Sequence, residues 1–197
     1  MSKERPILFS GAMVRALLAG TKTQTRRVLK PAPQMVTHNT ITTWDGTPAA
    51  LQHQLDRMGK GCTYGQPGDK LWVREAWAET RPLGIPWPAT MTVYREGDNR
   101  TDYGGPWKPS IHMKRSASRI TLEITSVRVE RLQDISDADC VAEGCGALAS
   151  AIGCPMTSAP GETIPRAMYR ALWESINGPG SWDANPWVWV VEFRRLP

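Results

Sequence analysis

The chain has 197 residues, of which 41% are hydrophobic and 22% charged, with a formal net charge of +5. That length and balance fit one domain able to bury a core, and they exclude a disordered tail or a fibre. No run of residues approaches the roughly 18 apolar positions needed to cross a bilayer, so a soluble, cytoplasmic protein with no membrane partner is expected. The 16 Pro and 17 Gly follow no period, which indicates many turns. Four cysteines (Cys62, Cys140, Cys145, Cys154) form no CxxC pair and three histidines (His38, His53, His112) stand singly. Reduced thiols, no metal and no cofactor are the corresponding expectations.

Pro6-Ile7-Leu8-Phe9 predicts a short strand, followed by Ser10 as the N-cap of a helix over 12–19 that Gly20 ends. Residues 21–28 are polar and β-tolerant, a poor core strand and a good site loop. From 31 to 65 the sequence is turn-rich with little periodicity and is expected as an insertion. Strands are predicted over 70–75 and 90–95, separated by a Pro- and Trp-rich stretch. Strict alternation over 119–124, continued through Val127-Arg128-Val129, is the longest strand signal, and Leu132 ends it. Ser136 caps a short helix through Glu143, closed by Gly144, and a loop is expected from 146 to 161. Thr163 and Pro165 open a further helix whose Ile164, Met168, Leu172 and Ile176 recur every fourth residue up to Gly178. Residues 186–194 are apolar on both faces and predict a central strand. Five or six strands and about three short helices without a repeating βαβ order predict an α+β fold on a small, mostly antiparallel barrel.

The charge is unevenly placed. Residues 1–30 carry Lys3, Arg5, Arg15, Lys22, Arg26, Arg27 and Lys30 against Glu4 alone, leaving the other 167 residues about neutral. A second run, Lys108, Lys114, Arg115 and Arg119, precedes the longest strand. Brought together, the two runs would suit phosphate or nucleic acid; a solvated basic surface without a partner satisfies the same pattern. Of the nine tryptophans, Trp72, Trp187 and Trp189 read as core, whereas Trp77, Trp87 and Trp107 lie in irregular stretches and are candidates for a base-stacking wall or a lid.

The order of strand, helix, Ala19-Gly20-Thr21-Lys22-Thr23-Gln24-Thr25, Gly68-Asp69, long strand, short helix with Glu143, helix and final strand Trp189-Val190-Val191-Glu192-Phe193 resembles the ASCH domain family. The resemblance implies a PUA-like β-barrel across 1–197 as a single domain, with insertions near 31–65, 80–112 and 145–162. It is closest to small bacterial enzymes that hydrolyse N4-acetylcytidine. Leu71-Trp72-Val73-Arg74-Glu75-Ala76-Trp77, Val129-Glu130-Arg131-Leu132 and Asn185-Pro186-Trp187-Val188-Trp189 look like longer members encoded by bacteriophages and prophages, which places the protein in a bacterial host cell.

Carried over by position, the family's Gly-x-Lys-x-x-Thr element falls on Gly20, Lys22 and Thr25, with Arg27 two residues further on and Glu143 as the acidic partner. The resemblance implies Lys22, Thr25 and Glu143 as a catalytic set and Gly20, Thr23, Arg26, Arg27 and Arg119 as substrate-binding residues. Gln24 and Arg26 are polar departures from the small enzymes, so the pocket is expected to differ. A threonine hydroxyl needs a base, and Lys22 could be one only if burial or neighbouring cations lower its pKa. Glu143, in the last turn of its helix, is expected to tend toward protonation and to act as an acid. The implied ligand is a modified nucleobase, as nucleoside or in single-stranded nucleic acid, with hydrolysis of an N4-acylated cytosine amide as the implied reaction. A non-catalytic RNA or DNA reader, with Lys22, Arg26 and Arg27 as a phosphate clamp and Glu143 as its ion-pair partner, is the alternative. A phage regulatory or assembly adaptor is a third.

Overall fold

A computed structural model describes residues 2–37, 40–80, 91–97, 106–146, 158 and 160–197. In chain order it contains β1 (Glu4–Leu8), α1 (Gly11–Leu18), β2 (Gln24–Val28), β3 (Gln34–Thr37), β4 (Thr40–Thr43), α2 (Pro48–Arg57), β5 (Lys70–Arg74), β6 (Trp77–Thr80) and β7 (Met91–Tyr94). Then follow β8 (Thr121–Arg131), α3 (Asp137–Ala142), α4 (Ile164–Asn177) and β9 (Trp187–Arg195), with 3-10 turns at Ser110–His112, Arg115–Ala117 and Leu132–Asp134. The main sheet has the order β1-β5-β8-β9-β2, with β1 parallel to β5 and every other pair antiparallel. This is an α+β architecture on a mostly antiparallel sheet. Among the described residues the sheet is open: β1 and β2 are its two edges and do not pair with each other.

β9 organises the core because both its faces are covered. Trp187, Trp189, Val191 and Phe193 pack with Ile7, Phe9, Val14, Leu71, Leu122 and Val129, on the side that holds α1. The alternate residues Val188 and Val190 pack with Leu132, Cys140, Tyr169, Leu172, Trp173 and Trp182, under α3 and α4. A period of two on a strand divides its side chains in this way, and apolar residues on both faces are the reason the segment is interior to the sheet.

Several expected elements are redrawn. Residues 24–28 form a strand with Gln24, Thr25 and Arg26 buried, where a loop is predicted from their polarity. Pairing with β9 satisfies one side of the backbone, ion pairs hold Arg26 and the Gln24 amide reaches Asp139 O, so polarity does not keep the segment out of the interior. The stretch 31–65 carries the β3–β4 hairpin and α2, whose Leu51 is buried. β6 pairs with β7 as a separate ribbon. The buried positions of α4 are Ala167, Tyr169, Leu172 and Trp173, while Ile164 and Ile176 are about half exposed. The larger aromatic pair sets the helix rotation, since Tyr169 and Trp173 have more apolar area to bury than the isoleucines. Trp77 is not a stacking wall: it is buried against Met113 and Ala117. Trp72, Trp187 and Trp189 are core, Trp107 is partly exposed, and Trp87 lies outside the described residues. So do most of the expected 146–161 loop, His38 and Cys154. Cys62, Cys140 and Cys145 are free thiols. No helix among the described residues is long and apolar enough to cross a membrane.

Candidate functional site

The loop that leaves α1 is shaped by two glycines. Gly20 takes φ +73° at the end of α1, a left-handed turn that glycine enters without steric cost. On the other side, Gly144 takes φ +80° immediately after α3, where a Cβ would stand 3.2 Å from Lys22 Cβ and 3.3 Å from Ala16 Cβ. The end of α3 can therefore lie directly on Lys22. Thr23 ties the junction together: its N–H donates to Ala142 O at 2.8 Å and its carbonyl accepts from Phe193 N at 2.9 Å.

Lys22 is fully buried by this packing. Its ammonium donates to Gln24 O at 2.8 Å, to Glu143 O at 3.0 Å and to Glu143 Oε2 at 2.8 Å. All three protons of the ammonium are thereby used. Burial pushes the Lys22 pKa down, the Glu143 charge opposes that shift, and Arg27 and Arg26 reinforce it. Glu143 gives its other oxygen, Oε1, to Arg26 Nη1 at 3.3 Å. Arg26 Nη2 continues to Asp139 Oδ2 at 3.1 Å and to Glu130. Arg128 closes the network onto Asp139, Glu130 and Glu192. Ser136 caps α3 through Asp139 N at 3.1 Å, which fixes the helix that carries both Asp139 and Glu143.

Beside this network is a cavity of about 360 Å³, lined by Leu8, Phe9 and Ser10 at the end of β1, Thr25 to Val28 on β2, Met13, Ser110, Glu143, and Tyr169, Leu172, Trp173, Ile176 and Asn177 on α4. Most of its exposed wall area is apolar or aromatic, with polar side chains set into it, and its volume lies at the lower end of the range of small-molecule pockets. It fills the gap between the two sheet edges. Arg27 crosses that gap, donating from Nη2 to Leu8 O at 2.7 Å, with its guanidinium 5.4 Å from the Phe9 ring centre and 5.9 Å from that of Tyr64. Thr25 is buried, and its hydroxyl has no hydrogen-bond partner among the described residues. Burial holds the Tyr169 phenol well above its ordinary pKa, and the Glu143 charge adds to it.

Thr25, Arg26, Arg27 and Glu143 thus share one cavity. Lys22 touches Glu143 behind the cavity wall and is not among the lining residues, nor are Gly20 and Thr23, which shape the loop. Arg119 lies in a different cluster, bidentate to buried Glu75 at 3.0 and 2.9 Å and 4.1 Å over the Tyr94 ring. The expected single positive face is depleted: Lys22 and Arg26 are buried and paired, Arg115 pairs with Glu4, and Arg119 with Glu75, while Arg27 and Lys114 make no ion pair among the described residues. Carboxylates far away in sequence take up the cations, a pairing that a count of local charge does not register. Both oxygens of Glu143, for which an acid role is expected, accept from cations. Sequence reasoning missed Phe9, Tyr169, Trp173, Glu130 and Asp139. The i,i+4 spacing of Tyr169 and Trp173 is a signal that could have marked an aromatic helix face.

The fold and cavity define a mixed α/β protein with a pocket of small-molecule size between two strand edges. Comparison with protein-family models, curated proteins and solved structures finds no match to this chain.

Proposed function

We propose that the chain is an ASCH-type, PUA-like protein that binds a modified nucleobase or nucleoside in the cavity between β1, β2 and α4, and that an N4-acylated cytosine is its ligand class. The observation that carries this reading is the convergence on one cavity of Thr25, Arg27 and Glu143, three of the positions the family resemblance singles out, with the aromatic side chains Phe9, Tyr169 and Trp173. Flat apolar walls suit a heterocycle, and a few polar groups orient it. A free nucleoside fits better than a polymer. Arg5, Arg15, Lys22, Arg26, Lys108, Arg115 and Arg119 of the two runs are engaged by carboxylates, so the electrostatic footprint expected of phosphate-backbone binding is weakened.

As a hydrolase, the site would use the Thr25 hydroxyl to attack the amide carbonyl. The C–N bond would break, the 4-amino group would leave with a proton, and water would then release the acyl group from Thr25 as a carboxylic acid. Lys22, with its pKa lowered by burial, is the group to take the threonine proton; it must first lose a proton and turn from Glu143 toward Thr25 as the neutral amine, and it then passes the threonine proton to the departing 4-amino group. The present pairing of Lys22 with Glu143 favours a second reading, a reader that binds the base without cleaving it.

Trp173 at the cavity wall makes intrinsic fluorescence a direct monitor. Titration with cytidine and N4-acetylcytidine is expected to give saturable quenching, with acetate released from the second if the site is catalytic. Absence of binding by either nucleoside overturns the reading; binding without acetate release selects the reader.

A further inference from the structure

The pattern of backbone bonds around β9 determines which way each peptide group of β2 points. Phe193 N donates to Thr23 O and Leu29 N to Trp187 O, whereas Leu132 N donates to Pro186 O and Leu196 N to Thr121 O. Odd-numbered residues of β9 therefore bond to β2 and even-numbered ones to β8, the alternation that an interior antiparallel strand requires. In the β2 register Thr25 faces Val191 and Arg27 faces Trp189, so these two residues use their N–H and C=O groups on β9. Gln24, Arg26 and Val28 then direct theirs outward, to the unpaired edge of the sheet.

These three positions differ in what they meet. The Gln24 carbonyl accepts from the Lys22 ammonium at 2.8 Å. Arg26 and Val28 line the cavity, and no hydrogen bond to their main-chain groups occurs among the described residues. Arg26 is only 4% exposed. Buried peptide N–H and C=O groups are almost always paired, so a donor and an acceptor on one buried residue, at the wall of a cavity, call for a partner that occupies the cavity. An added strand does not fit: Arg27 bridges the gap to Leu8 O, and α4 covers the far side of the cavity.

We infer that the main chain of Arg26 reads the base edge of the ligand, its N–H donating to a ring nitrogen and its C=O accepting from the adjacent exocyclic amine. On an extended residue the two groups point the same way and lie close together, which matches a planar heterocycle with neighbouring acceptor and donor, such as N3 and the 4-amino group of cytosine. The aromatic and aliphatic residues Phe9, Tyr169 and Trp173 then cover the faces of the ring. The Arg26 side chain is bound up with Glu130, Asp139 and Glu143, which clamps the peptide group in place and makes it a preorganised reader. This inference rests on the nucleobase reading above and specifies how that site selects its ligand.

The test is fluorescence titration of the full chain with cytidine, 5-methylcytidine, 3-deazacytidine and N4,N4-dimethylcytidine. The first two keep the reading edge, the third replaces the N3 acceptor by C–H with almost no change of shape, and the fourth removes the donor. 5-Methylcytidine is expected to bind within about threefold of cytidine. Each of the last two should bind about tenfold more weakly or worse, because a buried main-chain group is left unpaired. If cytidine binds and 3-deazacytidine matches it, the edge assignment is wrong while the nucleoside site stands. If neither these four nor N4-acetylcytidine binds, the nucleoside reading itself fails and the assignment with it; if N4-acetylcytidine alone binds, the nucleoside site stands and the edge assignment is wrong.

Discussion

The Lys22 ammonium lies 2.8 Å from Glu143 Oε2 and 3.0 Å from the Glu143 carbonyl, so one residue of the loop after α1 holds both the side chain and the main chain at the end of α3. A buried pair of this kind contributes little against an apolar replacement, yet removing one partner leaves the other charge unpaired at a cost of about 3–5 kcal/mol. Glu143→Gln, which strips the charge from a residue serving both Lys22 and Arg26, is expected to destabilise by that amount in urea unfolding. Lys22→Met combined with Glu143→Gln should cost clearly less than the sum of the two single changes. Strict additivity would show that the two residues do not depend on each other.

Gly144 and Gly180 form a matched pair for testing the close packing on Lys22. Both have positive φ, +80° and +73°, so alanine at either incurs a left-handed penalty of about 1–2 kcal/mol. Only at Gly144 would the new Cβ crowd Lys22 and Ala16; at Gly180 nothing lies within 4 Å. Gly144→Ala should therefore lower the denaturation midpoint more than Gly180→Ala and also weaken nucleoside binding. Equal losses would mean that the contact with Lys22 is readily relieved.

The acid limb of stability has an identifiable contributor in Asp69. Hydrogen bonds from Lys3 N at 2.8 Å, Arg5 Nη1 at 2.8 Å and Gln66 N at 3.3 Å hold its carboxyl below the ordinary range, the Lys3 amide most strongly and then Arg5. With the native pKa depressed, the unfolded chain binds the proton first as pH falls. The stabilisation is thus present above the unfolded value of about 3.9 and is lost as pH drops toward the native one. Asp69→Asn should be less stable than the parent at pH 7 and should show a shallower loss below about pH 4. Parallel pH profiles for the two proteins would remove Asp69 from the acid transition.

Thr25 separates catalysis from binding. Thr25→Val removes the cavity hydroxyl with little change of volume and leaves the peptide bonds of β2 to β9 untouched. If N4-acetylcytidine is hydrolysed, turnover should fall by roughly a thousandfold or more while affinity changes less than about threefold. Hydrolysis at the parent rate by this variant would exclude Thr25 as the nucleophile.

Much of the fold was legible along the chain because its signals are local. Ser10, Ser136 and the glycines after α1, α3 and α4 mark helix ends by the conformations and hydrogen bonds of single residues. The alternation in β8 and the two-sided apolar run of β9 are periodic within one element. Lys22, Thr25 and Glu143 were singled out by the family resemblance alone. What required the tertiary structure were the relations between distant segments: Arg26 meeting Glu130, Asp139 and Glu143, Tyr169 and Trp173 turning α4 onto the sheet, and β2 being an edge strand and not a loop. Polar side chains such as Gln24, Thr25 and Arg26 read as solvent-facing until their partners are known, because burial of a charge is decided by what arrives opposite it. The outward-facing peptide groups of Arg26 carry no signature in the amino-acid sequence, since every residue has the same N–H and C=O. Only the order of strands in the sheet decides which of them remain unpaired.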